Sequence, residues 1–477
     1  MKRLIIFISS IVFAINAIAQ SASEALLLSQ YYAGGTARSV GMSGAFGALG
    51  GDLSVLSANP AGLAVFRGSE FTFTPALNFT STDATYNSII YNDKNTKFII
   101  NNIGYVYTKN FYNQKGLQSL SFGVAYNRLS DFNSNAYIRN PDATSSMLDE
   151  FVYYANGAES GYPVSHDRLD PFYENLAYNT YAIDIDNNGV YFSDYNRLGY
   201  HQPLYRAMHT RGGIGEYDLS LGLNFNHKLF FGATLGIQDI HYEEYYFHEE
   251  KPMFVDMEYF NFSEEYSVIG MGLNFKAGLI YRPIQMLRLG AAIHTPTYLW
   301  LKPYLFTRMD TSFGNSPNSD GDTYFSDDAE SDPSERYQVK SPWRYNVSAA
   351  VLLGNVGLID LDVEFVDYSQ CDVFPKSDYS AANDKIASIY KSTVNIKGGV
   401  EYRLGPVYLR GGVAYYGNPY NKDQFSSEIR NTLKGTISYS GGIGFRLRNF
   451  YMDAAYSYMK HSERINDLYL SYNDQES

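Results

Sequence analysis

The sequence holds a single cysteine, Cys371. That excludes an intrachain disulfide framework and a zinc cluster built on several thiolates. Tryptophan is almost missing, with 2 residues against 45 tyrosines. Beyond the first twenty residues no stretch of 18 uncharged apolar residues occurs, so no helix of the mature chain can span a bilayer. Positive charge is scarce as well: 37 Lys and Arg stand against 50 Asp and Glu, a net charge of −13, which argues against nucleic acid as a partner. There is no Gly-x-Ser-x-Gly elbow, no His-Glu-x-x-His, no P-loop and no dinucleotide fingerprint. The chain is therefore read as a non-enzyme without cofactor or metal. Two segments were weighed against that reading. The run His241 to Glu250 puts His241, Glu243 and Glu249 on one strand face and Glu244, His248 and Glu250 on the other, a spacing that admits a metal. Acidic, aromatic loop ends are the commoner cause of such a run. The acidic stretch 319–332 lacks EF-hand spacing and reads as a solvated loop.

What is present begins with a targeting segment. Lys2 and Arg3 precede the apolar run Leu4 to Ala14, and Ala17-Ile18-Ala19 fits the small-x-small cleavage rule. Residues 1–19 are expected to be a signal peptide. Further on, apolar residues are diluted rather than blocked together, with 45% hydrophobic residues at a mean hydropathy of −0.28. They alternate. Leu219, Leu221, Leu223 and Phe225 oppose Asp218, Ser220, Gly222 and Asn224. Ile359, Leu361, Val363 and Phe365 oppose Asp360, Asp362 and Glu364. Period two sends one row to each face of a strand.

Thirteen such stretches are expected, near 69–81, 99–109, 117–130, 214–226, 229–246, 262–282, 287–306, 336–353, 356–373, 393–404, 407–416, 436–447 and 450–461. Their connections alternate strictly. Short turns such as Asn226-His227-Lys228, Gly354-Asn355 and Gly405-Pro406 are followed by long segments at 82–98, 131–213, 247–261, 307–335, 374–392 and 417–435. All long connections then leave one end of the sheet, the arrangement of an outer-membrane barrel. The expected fold is an all-β transmembrane antiparallel β-barrel of about fourteen strands over residues 69–477, in the cell outer membrane. Its external loops are 131–213, 307–335, 374–392 and 417–435. The tail from Glu463 alternates at Leu468, Leu470 and Tyr472, then ends in polar residues without a terminal aromatic. The last strand is expected to be cut short. Short helices are expected at 143–156 and from Ser380 to Tyr390.

Residues 20–68 do not alternate. They are rich in glycine (Gly34, Gly35, Gly41, Gly44, Gly47, Gly50, Gly51) and are read as an N-terminal hatch, or plug, inside the barrel. The run Gly35 to Phe46, then Asp52, then Ala58-Asn59-Pro60-Ala61-Gly62-Leu63, resembles the hatch of the FadL/TodX family of outer-membrane transporters for long-chain fatty acids and aromatic hydrocarbons. The family motif before the first strand is matched by Asn59, Pro60 and Ala61. The resemblance implies uptake of a hydrophobic molecule through an outer groove and an inner pocket, with lateral exit near a kinked third strand. Gly123 is the kink candidate here. Physically, the motif reads either as a turn that seats the plug or as ligand contact.

Phe46, Leu49, Leu53, Leu56, Leu63 and Phe66 either pack together or offer a ligand path. Arg38, Asp52 and Arg67 are candidates to fasten the hatch to wall charges. A candidate lumenal charge lattice comprises Asp360, Asp362, Glu364, Lys397, Glu401, Arg403, Arg410 and Arg446. It either rigidifies the wall or, through Arg403, Arg410 or Arg446, receives a fatty acid carboxylate. The expected function is passive, ligand-gated transport of hydrophobic small molecules, foremost long-chain fatty acids. The alternatives are an adaptor barrel for exported proteins and a general porin. Expected partners are the hydrophobic ligand, the lipid bilayer and lipopolysaccharide, with the protein acting as a monomer.

Overall fold

The strands follow the alternation. The computed structural model describes residues 22–461 apart from 33, 87–88, 112, 158–161, 196–198, 253–255, 315–322, 426–429 and 431–432. One antiparallel sheet takes up most of them. Its strands are β1 (Glu70–Tyr86), β2 (Ile89–Asn110), β3 (Leu117–Asp131), β4 (Ser134–Ala143), β5 (Gln202–Phe225), β6 (Leu229–Glu250), β7 (Met257–Ile284), β8 (Leu287–His294) and β9 (Tyr298–Phe313). They continue as β10 (Thr323–Glu330), β11 (Tyr337–Lys340), β12 (Arg344–Leu352), β13 (Gly357–Asp367), β14 (Asp372–Phe374), β15 (Ser392–Leu404), β16 (Val407–Tyr416), β17 (Thr436–Arg446) and β18 (Tyr451–Lys460). Taking β3 with β4, β8 with β9, β11 with β12 and β13 with β14 as single crossings, and β10 as an outer hairpin strand on β9, the wall has the thirteen crossings expected. β1 and β18 end the described sheet, and the Tyr451 hydroxyl of β18 donates to Glu70 of β1 at 2.6 Å. The sheet thus rolls back on itself. The expected fourteenth strand from Glu463 and the signal segment 1–19 lie outside the described residues.

The two faces differ as lipid requires. Leu221, Leu235, Leu273, Leu361, Val400, Val413 and Ile443 point outward and are exposed. Aromatic side chains flank them: Tyr107, Tyr281, Tyr402 and Phe445 near the short turns, and Trp300, Trp343, Tyr345, Tyr415 and Tyr439 toward the other end. Inward residues on the same strands are polar yet buried, among them Glu216, Asp218, Lys276, Arg344, Glu364, Glu401 and Arg410. An apolar exterior with an aromatic girdle at each rim is the signature of a transmembrane barrel. Among the described residues no helix is long and apolar enough to cross a membrane. The β5–β6 turn shows how tightly the short end closes: Asn226 and His227 both take positive φ, 56° and 53°, the primed turn that suits strand twist.

Three expectations are corrected. Residues 82–98 are not a loop, because β1 and β2 stay in register until Tyr86 meets Ile89. Beyond the lipid the ladder needs no greasy face, so polar residues such as Thr82, Asp83 and Lys94 carry it without a hydrophobic alternation. For the same reason 247–261 and 307–335 are largely strand, with β9 and β10 paired from Phe306–Glu330 to Phe313–Thr323. Gly123 does not kink β3: it pairs regularly with Ser220, and register shifts fall at Leu117/Ser119 and Arg128/Ser130. The wall breaks instead between β8 and β9 at Pro296 and between β11 and β12 at Pro342, where proline cannot donate to a ladder. The long connection 131–213 is a folded cover. Its helices Met147–Ala155 and Glu174–Asn179 pack with Tyr191 and Leu204 on Phe260, Phe262 and Met309 of the wall. A second helix, Ser380–Ile389, lies in the connection 374–392.

Leu361 faces mid-wall lipid, so Leu361→Arg is expected to cost about 2–4 kcal/mol. Urea titration of the barrel in lipid vesicles, followed by heat-modifiable gel mobility, measures this. Unchanged stability would place Leu361 away from lipid.

Candidate functional site: plug and lumen

Residues 22–66 run down the lumen. At the end with long connections the Ala22 carbonyl accepts from Tyr390 Oη at 3.0 Å; at the end with short turns the Arg67 carbonyl accepts from Asn110 Nδ2 at 3.0 Å. The segment folds as short turns because capping residues recur. Thr36 caps Ala37–Val40, and Asp52 caps the 3₁₀ turn Leu53–Ser57 by accepting from Ser54 N at 3.0 Å. The caps are tied together, since Thr36 Oγ1 donates to Asp52 at 2.8 Å. Asn59 caps Pro60–Val65, accepting from Ala61 N at 3.2 Å. Its Nδ2 donates to the Gly47 carbonyl at 2.6 Å and to the wall carbonyl of Leu279 at 3.4 Å. Asn59, Pro60 and Ala61 thus form a turn stitched to plug and wall at once. Pro60, first in its turn, has no N–H to leave unpaired.

The wall receives the plug backbone through glycines. Gly222, Gly232 and Gly278 lie in one register across β5, β6 and β7. A Cβ on Gly222 would sit 2.7 Å from Ala64 N, and one on Gly232 or Gly278 would overlap Pro60 or Asn59. Gly399 and Gly412, paired on β15 and β16, do the same for Met42, and a Cβ on Gly399 would lie 2.8 Å from Met42 Cβ. On β8, a Cβ on Gly290 would lie 2.6 Å from the Gly47 carbonyl oxygen. Gly123, the former kink candidate, makes room for Leu63 and Leu56.

Polar contacts complete the seat. Asp362 accepts from Phe46 N and Gly47 N, both at 2.9 Å. Arg288 donates to the Leu49 carbonyl and Arg344 to that of Ser29. His294 lies 2.7 Å from the Ala58 carbonyl, and Ser57 donates to Asp218 at 2.6 Å. Arg38 reaches Glu401 at 3.1 Å. Around Glu401 and Asp453 every arginine has a carboxylate: Arg403 and Arg410 pair with Glu401 at 3.2 and 2.9 Å, Arg410 and Arg446 with Asp453 at 2.7 and 3.1 Å, while Arg410 Nη2 is left without a hydrogen-bond partner. Arg344 pairs with Glu364 at 3.2 Å, and Lys397 lies over the Tyr416 ring. Asp360 is buried beside Ala48. Asp52 works within the plug rather than toward the wall, and Arg67 is exposed. A fatty acid carboxylate at Arg403, Arg410 or Arg446 would have to displace an existing ion pair.

Phe46, Leu49, Leu53, Leu56, Leu63 and Phe66 form one buried cluster with Met42, Val55, Val106 and Ala125. Above them opens a vestibule. It is lined by Leu27, Phe151, Tyr154, Tyr173 and Tyr266. Glu24, in the helical turn 22–27, faces it and accepts from Tyr266 Oη at 3.1 Å and from Tyr337 Oη. Burial pushes its carboxyl up to about 7, against the opposing pull of the two tyrosine hydroxyls.

Sequence reasoning missed the receiving glycines, whose signal was available: each occupies a lumen-parity position in a strand. It also missed Asn127, Arg288, His294 and Arg344, which carry no motif. The His241–Glu250 run proves structural in part. His248, accepting from Arg206 Nε at 3.3 Å, lies 2.8 Å from Glu250, and Glu250 accepts from Met147 N at 2.8 Å to hold the cover helix. Among the described residues no three His, Cys, Asp or Glu side chains converge as a metal set.

Wall and plug together define the class: an outer-membrane β-barrel whose lumen is filled by its own N-terminal segment. Compared with known families and with curated proteins, the chain matches none. Among solved structures it is similar to a Pseudomonas aeruginosa FadL homologue (12% identity, 90% of this chain and 91% of that one, TM-score 0.49). It is also similar to the CymD monoaromatic hydrocarbon channel (13%, 90% and 94%, TM-score 0.44) and to the Ralstonia pickettii toluene transporter TbuX (14%, 91% and 99%, TM-score 0.44).

Gly232→Val is expected to weaken plug seating by about 1–3 kcal/mol through overpacking. Rising ion conductance in planar bilayers, with barrel mobility unchanged, is the expected outcome; a silent variant would count against backbone seating. Seating of residues 22–27 should also respond to pH. The Glu24 carboxyl is raised from 4.5 to about 7, so its contribution is complete below the ordinary carboxylate range and lost as pH climbs through about 7. Hydrogen exchange in residues 22–28, corrected for the intrinsic rate at each pH, should therefore accelerate as pH rises from 4.5 to about 7, and Glu24→Gln should abolish that response.

Proposed function

We propose that this chain is a passive channel for hydrophobic small molecules, with long-chain fatty acids as the first class to test. The observation that carries this reading is the pairing of a seated plug with an aromatic-lined vestibule above it. Water and ions meet a lumen filled by residues 41–66, whereas an apolar molecule finds Leu27, Phe151, Tyr154 and Tyr266 at the vestibule. Such a ligand moves the plug only by binding the displaced arrangement better than the seated one. The buried cluster of Phe46, Leu49, Leu53, Leu56, Leu63 and Phe66 then offers the exchange: side chains now packed on each other are covered by ligand instead. The Asn59-Pro60-Ala61 turn is read as the anchor about which that exchange occurs. No energy source is required.

Uptake of labelled oleate and of labelled toluene by cells with and without the intact protein tests this. Faster uptake of at least one, with no steady conductance from the intact protein in bilayers, is expected. Deleting residues 21–62 should leave an inserted barrel that leaks small solutes. A deletion variant that stays sealed, or an intact protein that conducts freely, would dismiss the plug.

A further inference from the structure

The chain is acidic overall, yet its short-turn end is basic, with Arg67, Lys115, Lys228, Arg282, Arg288 and Arg448 close to the turns. Three of these belong to the lumen rather than the rim. Arg288 is the second residue of β8, on its inward row. One arm holds the Leu49 carbonyl, and its Nε is buried without a hydrogen-bond partner. Arg282 lies half-buried near the end of β7, where its N donates to the Lys228 carbonyl at 2.7 Å. Arg67 leaves the plug immediately below Phe66 and is exposed. Arg288 stands across the β7–β8 ladder from Arg282, between the pairs Leu287–Ile284 and Leu289–Tyr281.

That arrangement is unlike the rest of the lumen. Arg38, Arg344, Arg403, Arg410 and Arg446 each sit within 3.2 Å of a carboxylate. Among the described residues no ion pair joins Arg67, Arg282 or Arg288 to an acid. Guanidinium groups without an acid, beside an unfilled donor, call for an anion, because Arg presents forked donors that match oxyanions. Directly above the cations lies an apolar patch, where Ala61, Ala64, Phe230 and Ile280 pack with Val65. Ile280 and Arg282 share one row of β7, two residues apart, as Val65 and Arg67 stand two apart on the plug. Phe230 and Ile280 are buried, and Val65, the partly exposed member of that cluster, stands beside the cations.

We propose that Arg67, Arg282 and Arg288 form an anion subsite at the periplasmic floor of the plug, which takes the oxyanion head of an amphiphile whose tail lies against Val65. Carboxylate and phosphate heads share the required chemistry. A fatty acid descending the barrel supplies the first, a phospholipid of the periplasmic leaflet the second. The direction of arrival from above rests on the transport reading; the subsite does not.

The full chain, in phosphatidylcholine vesicles, is titrated with oleate carrying a ¹³C carboxyl. The variant Arg67→Gln/Arg282→Gln spares Arg288, which supports the plug, and its folding is checked by heat-modifiable mobility. The expected result is about tenfold weaker oleate binding than in the native protein, with most of the salt dependence gone. A second series adds phosphatidylglycerol to the vesicles. If that lipid binds the native protein, fails to bind the variant, and is not displaced by oleate, the subsite stands with a phospholipid as its occupant. If native protein and variant bind oleate equally and phosphatidylglycerol equally, the subsite is refuted. Uptake of oleate and of toluene by cells with the native protein is scored separately: absence of both would sink the transport reading and leave the anion subsite untouched.

Discussion

A chain inside lipid has no water to satisfy its amides, and the rest of the structure depends on that constraint. Every wall residue must be paired to a neighbouring strand, so the sheet has to curl until its edges meet. Curling divides each strand into a row for lipid and a row for the lumen. The lipid row becomes the exposed Leu, Val and Ile of mid-wall and the aromatic rims. The lumenal row inherits the polar residues, and these are then enclosed in a narrow space where an unpaired group is costly. The plug answers that second problem. Asp218, Asp362 and Glu401 would face an empty lumen without Ser57, the Phe46 and Gly47 amides, and Arg38.

The seat is uneven, and the unevenness says which part moves. Residues 41–66 meet the wall backbone to backbone, at the Gly222/Gly232/Gly278 row, at Gly290 and at the Gly399/Gly412 pair. Unseating them exposes several buried donors and acceptors at once, at about 1–3 kcal/mol for each group left unsatisfied. Residues 22–40 are held chiefly by Glu24 on two tyrosines, by Arg344 on the Ser29 carbonyl and by Arg38 on Glu401. They also border the vestibule. In the upper half the Glu24 contact weakens near neutral pH, while Ala22, Ala25, Leu26 and Leu28 stay packed with Ile214, Ile240, Val268 and Leu299 of the wall.

Much of this was legible in the sequence, for definite physical reasons. Lipid imposes a strict alternation, so the thirteen crossings could be placed to within a few residues wherever the wall is in lipid. Outside the lipid that pressure ends. β1 and β2 therefore extend past the expected boundaries on polar residues such as Thr82 and Asn95, and the β9–β10 hairpin is invisible to a hydrophobic pattern. The cover was legible only as far as its helix, since Ser146 and Asp149 write a capping box. In the lumen, charge could be read but partnership could not. Arg403, Arg410 and Arg446 looked available as headgroup donors, yet the register sets Arg410 opposite Glu401 and Asp453 beside Gly444, where Arg410 also reaches. Glycines told the opposite story. Those in the plug drew attention, while those in the wall, at Gly222, Gly232 and Gly278, decide where the plug rests.

Charge polarity along the barrel axis now bears on how an amphiphile would travel. The vestibule is lined by Glu24, Glu150, Glu174, Glu244 and Glu264, the floor by Arg67, Arg282 and Arg288. Burial raises Glu174 to about 8, reinforced by the nearby Asp170, as it raises Glu24 to about 7. Below about pH 7 Glu24 and Glu174 are largely protonated and the upper chamber tolerates a neutral molecule; above about pH 8 both are charged and repel an anion. A fatty acid entering such a chamber faces the same desolvation and is itself driven toward its protonated form. The floor reverses the preference, because guanidinium groups favour the ionised head. A cargo that is admitted as an acid and released as a carboxylate gives up its proton between the two ends. The fixed charges of the barrel then set where each form is held, the released proton passes to water, and net direction follows the concentration gradient of the cargo.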